Sequence, residues 1–200
     1  MKMTDRRVLA VGAHPDDLTL GCYGTLAKLA EHNEVCGLIL SGAGTKQAQE
    51  AHDALEGVCP MLALRDLPPT EFPSRNREVA IIDTLISEFE IDTIIGHAPW
   101  DHHQDHVTTW RMILAASRRR PVSILGFHAI SATPDFPANL AVDITDQWEA
   151  KLAATRCHKS QCHKPYFAPG YLEAWHHDKR ATAAGLRLVE LFHIFQEWWV

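Results

Sequence analysis

The feature that most constrains this chain is a regular alternation of short apolar runs with segments of helical periodicity. The first run, residues 8–11, ends at Gly12. We predict strands over residues 8–11, 35–40, 61–64, 93–95, 124–127 and 140–144. We predict helices over residues 20–32, 48–58 and 79–89, from about His106 to Leu114, and around Trp148 and Leu152. Such alternation predicts an α/β fold, a mostly parallel sheet with helices on both faces.

The length and composition indicate one folded domain over residues 1–200. The hydrophobic share of 46% and the charged share of 22% are ordinary globular values. A net charge of −6 gives no basic surface for nucleic acid, and no apolar run approaches the ~20 residues of a membrane span. Without a secretory signal, five cysteines predict reduced thiols and a cytoplasmic protein.

Histidine is the anomaly of the composition, because 13 of the 200 residues are His and they cluster beside Asp. One cluster, residues 13–17, comes directly after the first strand, and the other, residues 100–106, follows the fourth strand. In the usual doubly wound order, strands one and four are neighbours where the strand order reverses. Ligands bind beyond the carboxyl ends of the strands at that point, so we expect the two clusters to meet in one crevice.

These residue types suit metal-assisted hydrolysis. Of the adjacent carboxylates Asp16 and Asp17, one can join His14 on a metal while the other handles protons. His103 and His106 are three positions apart at the predicted start of a helix, so they project from neighbouring positions on one face. A nucleotide site is not expected, because the first loop lacks the G-x-G-x-x-G pattern and carries carboxylates where a pyrophosphate needs N–H groups.

Four motifs follow one another in a specific order and span most of the chain. They are His-Pro-Asp-Asp at 14–17, Gly-Cys with Gly-Thr-Leu at 21–26, His-Gln-Asp-His at 103–106, and Lys151 through His-Lys-Ser-Gln at 158–161. Together they resemble the PIG-L/LmbE-like family of metal-dependent de-N-acetylases. A weaker similarity runs from Gly185 to residues 190–192. The resemblance implies a Rossmann-like fold holding one zinc ion, with Fe²⁺ or another divalent metal as the alternative.

The resemblance also implies roles for seven residues. It places His14, Asp17 and His106 as metal ligands, Asp16 as general base, His103 as general acid or oxyanion stabiliser, Asp105 as the carboxylate that orients His103, and His158 near the substrate. The chemistry agrees with these roles, because three protein ligands leave a zinc position open for water and Asp16 could take the proton of that water. Either His103 or protonated Asp16 could then protonate the leaving amine.

The expected activity is hydrolysis of an N-acetyl or short N-acyl group from an amino-sugar-containing small molecule such as N-acetylglucosamine. The sugar comes from the resemblance, since spacing alone predicts only metal-assisted hydrolysis. Two alternatives stay open: an amidase for another amide, such as a thiol conjugate of a pseudodisaccharide, and a sugar- or metal-binding protein without turnover. Asp16 and His103 argue against a pure binding protein, which needs no base. Trp198 and Trp199 at the chain end favour docking on the body or on another subunit, so a homo-oligomer also stays open.

Two departures from the family pattern bear on the substrate. Leu18-Thr19 stand where a Glu is usual after His-Pro-Asp-Asp, and Gln47 stands before Glu50 where an Arg is often found. A side-chain amide cannot supply the charge of a guanidinium, so we expect a changed substrate rather than a changed reaction. A small zinc knuckle within residues 157–163 is a weaker interpretation of the last His-containing motif.

Overall fold

The computed structural model describes residues 5–68 and 76–198, which form one seven-stranded sheet with helices on both faces. The strands are β1 (Arg7–Gly12), β2 (Glu34–Ser41), β3 (Met61–Leu67), β4 (Thr93–Gly96), β5 (Ser123–Phe127), β6 (Leu140–Asp143) and β7 (Val189–Gln196). The helices are α1 (Asp17–Ala30), α2 (Lys46–Leu55), α3 (Asn76–Glu88), α4 (Gln104–Ser117), α5 (Trp148–Cys157), α6 (Pro169–Trp175) and α7 (Lys179–Ala183). Short 3₁₀ turns cover Thr145–Gln147 and Pro165–Phe167.

The strand order is β3-β2-β1-β4-β5-β7-β6, so β1 and β4 are neighbours at the switch point, as predicted. The first five strands pair in parallel, whereas β7 pairs antiparallel with both β5 and β6. The prediction of an α/β fold with a mostly parallel sheet is therefore confirmed. In the β1–β4 register Val11 lies opposite Gly96, so the segments that follow both strands leave the sheet side by side.

Alternate residues of β1 enter two separate cores, which explains why the strand reads as a continuous apolar run. Val8 and Ala10 pack on the face covered by α1, α2 and α5, while Leu9 and Val11 pack on the face covered by α3 and α4. Helix α1 approaches the sheet closely because it carries glycine at a contact point. A Cβ at Gly21 would lie 2.4 Å from the Phe127 ring, so any larger residue would push α1 away.

The structure corrects several local predictions. Helix α1 begins at Asp17, three residues before the predicted start, and α4 begins at Gln104, before His106. The helix predicted around Trp148 and Leu152 is α5; a 3₁₀ turn precedes it, and the Asp143 carboxylate accepts the N–H and hydroxyl of Thr145 in that turn. Strand β7 and the short helices α6 and α7 were not predicted.

Within the described ranges, no helix combines the length and apolar content needed to cross a bilayer. Trp198 keeps 47% of its surface exposed, and Trp199 lies outside the described residues. The docking of this chain end and the oligomeric state therefore stay predictions.

Candidate functional site

A cavity of about 640 Å³ opens beyond the carboxyl ends of β1 and β4. Six of the seven predicted site residues line it, namely His14, Asp16, Asp17, His103, His106 and His158. Asp105 is buried behind them. The ring centroids of His14 and His103 are 4.7 Å apart, so the two histidine clusters meet in one crevice as the strand order predicts.

The first cluster is held by a tight turn between β1 and α1. The Oδ2 atom of Asp17 accepts the backbone N–H of Ala13 at 2.9 Å and that of His14 at 2.7 Å. Asp17 is also the first residue of α1, where an acidic side chain is favoured by the helix dipole. Its carboxylate therefore has a fixed orientation before any ligand arrives.

The second cluster is held by the start of α4. His103 is the N-cap residue, and its Nδ1 atom accepts the backbone N–H of Asp105 at 3.3 Å. The backbone N–H of His103 donates in turn to Asp101 Oδ1 at 2.8 Å. These bonds place His106 in the first turn of the helix, with its ring directed to the first cluster.

The facing atoms of His14, Asp17 and His106 form a compact set of donors. His106 Nε2 lies 3.3 Å from His14 Nδ1 and 3.3 Å from Asp17 Oδ1, and His14 Nδ1 lies 3.5 Å from Asp17 Oδ2. Ligand atoms about 2.0–2.2 Å from a tetrahedral metal are about 3.3–3.6 Å apart, so this separation fits one metal ion. Two imidazoles and a carboxylate are also ligands that a transition metal accepts.

Two overlapping groups of donor atoms share His106. Ring nitrogens of His14, His103 and His106 lie within 4.8 Å of one another, and the same holds for donor atoms of Asp17, His97 and His106. The residues of the second group are all buried. The region could therefore hold a metal ion, with His106 at the centre of the possible donor sets.

The electrostatics of this region favour positive charge at its centre. Burial opposes a charged His106, but the Asp17 and Asp101 carboxylates outweigh it and raise the pKa of His106 to about 10. Burial likewise disfavours the Asp17 anion, yet His106, His97 and His14 hold the pKa of Asp17 well below its usual value. The carboxylates of the cluster thus stabilise the positive charge of protonated His106. They would stabilise the positive charge of a bound metal ion in the same way.

Asp16 lies in a different environment from its neighbour. Burial, reinforced by the negative charge of Asp17, raises the pKa of the Asp16 carboxyl, and Lys164 and His14 oppose this in part. Asp16 lines the cavity but belongs to neither group of metal-donor atoms in the described residues. Both adjacent carboxylates therefore line the cavity, but only Asp17 belongs to a group of possible metal donors in the described residues.

Asp105 lies closer to His14 than to His103. Its Oδ2 atom is 2.9 Å from His14 Nε2 and 4.0 Å from His103 Nδ1. The resemblance implied that this carboxylate orients His103, whereas the shorter contact holds the ring nitrogen of His14 that faces away from Asp17 and His106. Hydrogen bonds of this kind fix the orientation of metal-binding imidazoles.

Two residues of the site whose side chains are covered, His97 and Asp101, were missed in the sequence. His97 Nε2 is 2.9 Å from Asp17 Oδ2, and its ring stacks on His106 at 3.9 Å. Asp101 Oδ2 is 2.8 Å from His106 Nδ1, which also lies 3.1 Å from the Ser131 hydroxyl. Their positions in the sequence could have indicated a role in the site, since His97 directly follows β4 and Asp101 lies inside the second histidine cluster.

His158 forms part of the cavity wall. Its Nε2 atom is 3.0 Å from the Thr19 hydroxyl, and burial lowers the pKa of His158 to about 4. The following loop is anchored by Glu50, which accepts the backbone N–H and the hydroxyl of Ser160. Cys162 is exposed, and no zinc knuckle of residues 157–163 occurs among the donor groups in the described part of the chain.

A Rossmann-like α/β domain with a His/Asp site at its switch point is the class that this geometry defines. Residues 9–117 match the PIG-L family, described as GlcNAc-PI de-N-acetylase, and the chain belongs to that family. The resemblance seen in the four motifs is thereby confirmed.

Two relatives carry deacetylase names. The chain is 27% identical over 168 residues to the uncharacterized deacetylase YaiS of Escherichia coli K12, covering 76% of this chain and 90% of the relative. It is 28% identical over 188 residues to a diacetylchitobiose deacetylase of Thermococcus kodakarensis, covering 78% and 70%. The family and these names support a hydrolytic deacetylase.

Solved structures show how widely the fold is used. GalB, a 4-carboxy-2-hydroxymuconate hydratase from Pseudomonas putida KT2440, superposes with a TM-score of 0.81 over 98% of both chains at 15% identity. An N,N′-diacetylchitobiose deacetylase from Pyrococcus horikoshii gives 0.79 at 21% identity, over 95% of this chain and 84% of the other. At such identities the likeness concerns the fold alone, and the reaction has to be argued from the site.

Proposed function

We propose that this protein is a zinc-dependent hydrolase that removes an acetyl or other short acyl group from the amino group of a sugar-containing small molecule. The observation that carries the proposal is the separation of roles among clustered side chains. Ring nitrogens of His14 and His106 and the two Asp17 oxygens form pairs 3.3–3.5 Å apart, while Asp16, next to Asp17 in the chain, lines the cavity with a raised pKa. Hydrolysis of an amide needs both a group that polarises the carbonyl, such as a metal ion, and a base that takes the proton of water.

His14, Asp17 and His106 would hold the metal, with zinc proposed and Fe²⁺ as the alternative. A divalent metal held there would supply Lewis-acid polarisation of the amide carbonyl and lower the pKa of a water molecule toward ~7. The surrounding residues support this use. Asp105 and Asp101 each hold the outer nitrogen of one ligand imidazole, which fixes its tautomer.

Asp16 is proposed as the general base. Its carboxylate takes the proton of the attacking water, and its raised pKa makes it a better acceptor than an exposed aspartate. After that step the protonated Asp16 is one of two groups that can supply the proton needed by the leaving amine.

His103 is proposed to act on the substrate carbonyl oxygen or the leaving nitrogen. Burial, reinforced by the charge on His106, lowers the pKa of His103, so the ring is neutral near pH 7. Because Nδ1 accepts the Asp105 N–H, the neutral ring carries its proton on Nε2. That N–H can donate a hydrogen bond to an oxyanion on the substrate. To protonate the amine, the ring would first have to take up a second proton and become imidazolium.

The substrate proposal rests on the cavity and on the relatives. A cavity of about 640 Å³ is large enough for a sugar and one substituent. His158, Gln47, Lys164 and Tyr166 line it and offer hydrogen-bonding groups to hydroxyls. Two relatives named for deacetylation, one of them acting on diacetylchitobiose by name, favour an N-acetylated sugar.

An acetate-release assay tests this function. Metal-stripped and zinc-loaded protein are compared on a panel of N-acetylated monosaccharides, chitobiose derivatives, glycosides and nucleotide sugars. We expect release that requires the metal and is concentrated in one or a few members. A thiol conjugate of a pseudodisaccharide in the same panel tests the alternative amidase. Binding of sugars without release from any member would indicate the non-catalytic alternative.

A further inference from the structure

His97 lies at the centre of the candidate site without lining its cavity. It leaves β4 immediately after Gly96 and keeps 1% of its surface exposed. Its ring is packed between His106, at a centroid distance of 3.9 Å and an interplanar angle of 18°, and Phe127, at 4.7 Å. A side chain so placed cannot touch substrate directly, so its effect has to pass through the residues beside it.

The hydrogen bonds of Asp17 show what His97 does. Oδ2 of this carboxylate is within bonding distance of three donors, the N–H groups of Ala13 and His14 and the Nε2 atom of His97 at 2.9 Å. The other oxygen, Oδ1, faces His106 Nε2 at 3.3 Å. The three donors therefore hold one oxygen and leave the other directed at the proposed metal position.

The tautomer of His97 follows from this geometry. A carboxylate only accepts hydrogen bonds, so His97 has to carry a proton on Nε2 to bind Asp17. The Ala13 N–H, whose nitrogen is 3.2 Å from His97 Nε2, then donates its hydrogen bond to Asp17 Oδ2 and not to His97. Nδ1 is buried and accepts no hydrogen bond in the described structure, so nothing there competes with this tautomer.

We propose that His97 is a positioning residue, whose Nε2–H fixes the Asp17 carboxylate and whose ring supports His106, so that both face one metal ion. The inference rests on the proposed metal site and adds a residue to it that touches neither cavity nor substrate. Removal of partners of this kind typically weakens metal binding by about 10–100-fold.

Two variants separate the hydrogen bond from the ring. His97→Phe keeps a flat ring against His106 but removes the donor, and His97→Gln keeps an N–H donor near the position of Nε2 but removes the ring. We expect the zinc Kd of His97→Phe to rise by about 10–100-fold and that of His97→Gln to rise by less than about 5-fold. The Kd is measured by competition with a chromophoric chelator, and circular dichroism of the metal-free proteins checks the fold.

His176→Phe is the matched control. His176 is also a buried histidine, with 3% exposed, and its ring packs beside Trp148 while Nδ1 donates to the Val189 carbonyl. An exposed histidine would be an unsuitable control position, because the control has to include the cost of placing Phe at a buried site. We expect its zinc Kd to equal that of the unaltered protein.

Three results would overturn the proposal. An unchanged zinc Kd in His97→Phe would show that Asp17 needs no third donor. Loss of zinc binding by far more than 100-fold in both His97 variants would make His97 a ligand and not a positioning residue. Absence of zinc binding in the unaltered protein and in His176→Phe alike would instead remove the proposed metal site itself, and the His97 inference with it.

Discussion

Two polar clusters contact helix α1, and they differ in how their charged groups are arranged. At the middle of the helix, Lys151 and Glu190 form an ion pair in which both side chains are completely buried. At its amino-terminal end, imidazoles and carboxylates crowd around His106. Both clusters bury charged groups, but the first is a single ion pair, whereas in the second the donor atoms of several residues converge.

The buried pair is complete without any ligand. Lys151 Nζ donates to Glu190 Oε1 at 2.6 Å and to the Leu20 carbonyl at 2.7 Å. The Glu190 carboxylate also accepts the backbone N–H groups of Gly24 and Thr25. This arrangement ties α1 to α5 and β7, so its role is structural.

In the histidine cluster, by contrast, donor atoms of neighbouring residues point at one another. Facing nitrogens of His14 and His106 are 3.3 Å apart, where at most one proton can lie between them, and Asp17 faces both rings. A cation shared by these atoms resolves the conflict. The comparison teaches that a buried polar cluster with matched partners stabilises the fold, whereas one whose donor atoms converge is arranged for a ligand.

The largest expected effect separates the roles of the two adjacent carboxylates. Asp16→Asn should lower kcat by about 10²–10⁴-fold, because it removes the general base, while zinc content stays unchanged. Asp17→Asn is the matched variant and should lose zinc. Acetate release and metal analysis are measured on the same preparations, and equal loss of zinc in both variants would make Asp16 a ligand.

The second prediction concerns the matched cluster. Lys151→Met should lower the free energy of unfolding by about 3–5 kcal/mol, because it leaves the Glu190 charge buried without its partner. Urea unfolding of metal-free protein measures this. Adding Glu190→Gln should recover part of the loss. Lys28→Met, at an exposed lysine of α1, should change stability by less than about 0.5 kcal/mol. A loss in Lys151→Met no larger than in Lys28→Met would contradict the structural role.

The third prediction distinguishes neighbouring histidines. His103→Asn should lower kcat by about 10²-fold while zinc is retained, and asparagine keeps an acceptor at the N-cap of α4. His102→Asn, at an exposed position, should have little effect. The assignment of His103 fails if the two variants rank in the reverse order.

The smallest expected effect lies outside the proposed ligands. Asp101→Asn weakens the hold on His106 Nδ1 and should raise the zinc Kd by about 10–100-fold, with kcat restored at saturating zinc. Asp178→Asn, which alters the N-cap carboxylate of α7, is the control and should leave the zinc Kd unchanged. Chelator competition measures both, and an unchanged Kd in Asp101→Asn would show that His106 needs no such support.

The sequence predicts the fold well because its signals are local. Apolar runs that end in glycine mark β1 and β4, and the usual strand order then places residues 13–17 beside residues 100–106. Strand β7 was missed because polar and apolar residues do not alternate regularly along it. Its antiparallel partners, β5 and β6, also lie far away in the chain. Its Glu190 lies 166 residues from Gly24, to which it is bonded.

The site was predictable only as a set of residue types. His14 and Asp105 are 91 positions apart, so no spacing rule indicates that they are hydrogen-bonded. His97 stands directly after a strand and is separated by Ala98 and Pro99 from the second histidine cluster, residues 100–106. Such contacts are set by how β1 and β4 are paired and by the direction of α4.

The most direct test of the account is a zinc titration of metal-stripped protein followed by acetate release from the best substrate of the panel. The account predicts that release rises linearly and reaches its plateau at one zinc per chain. Under the same titration Asp16→Asn should bind one zinc without release, and His106→Ala should bind almost none. Full acetate release from the metal-stripped protein, or native zinc affinity in His106→Ala, would contradict it.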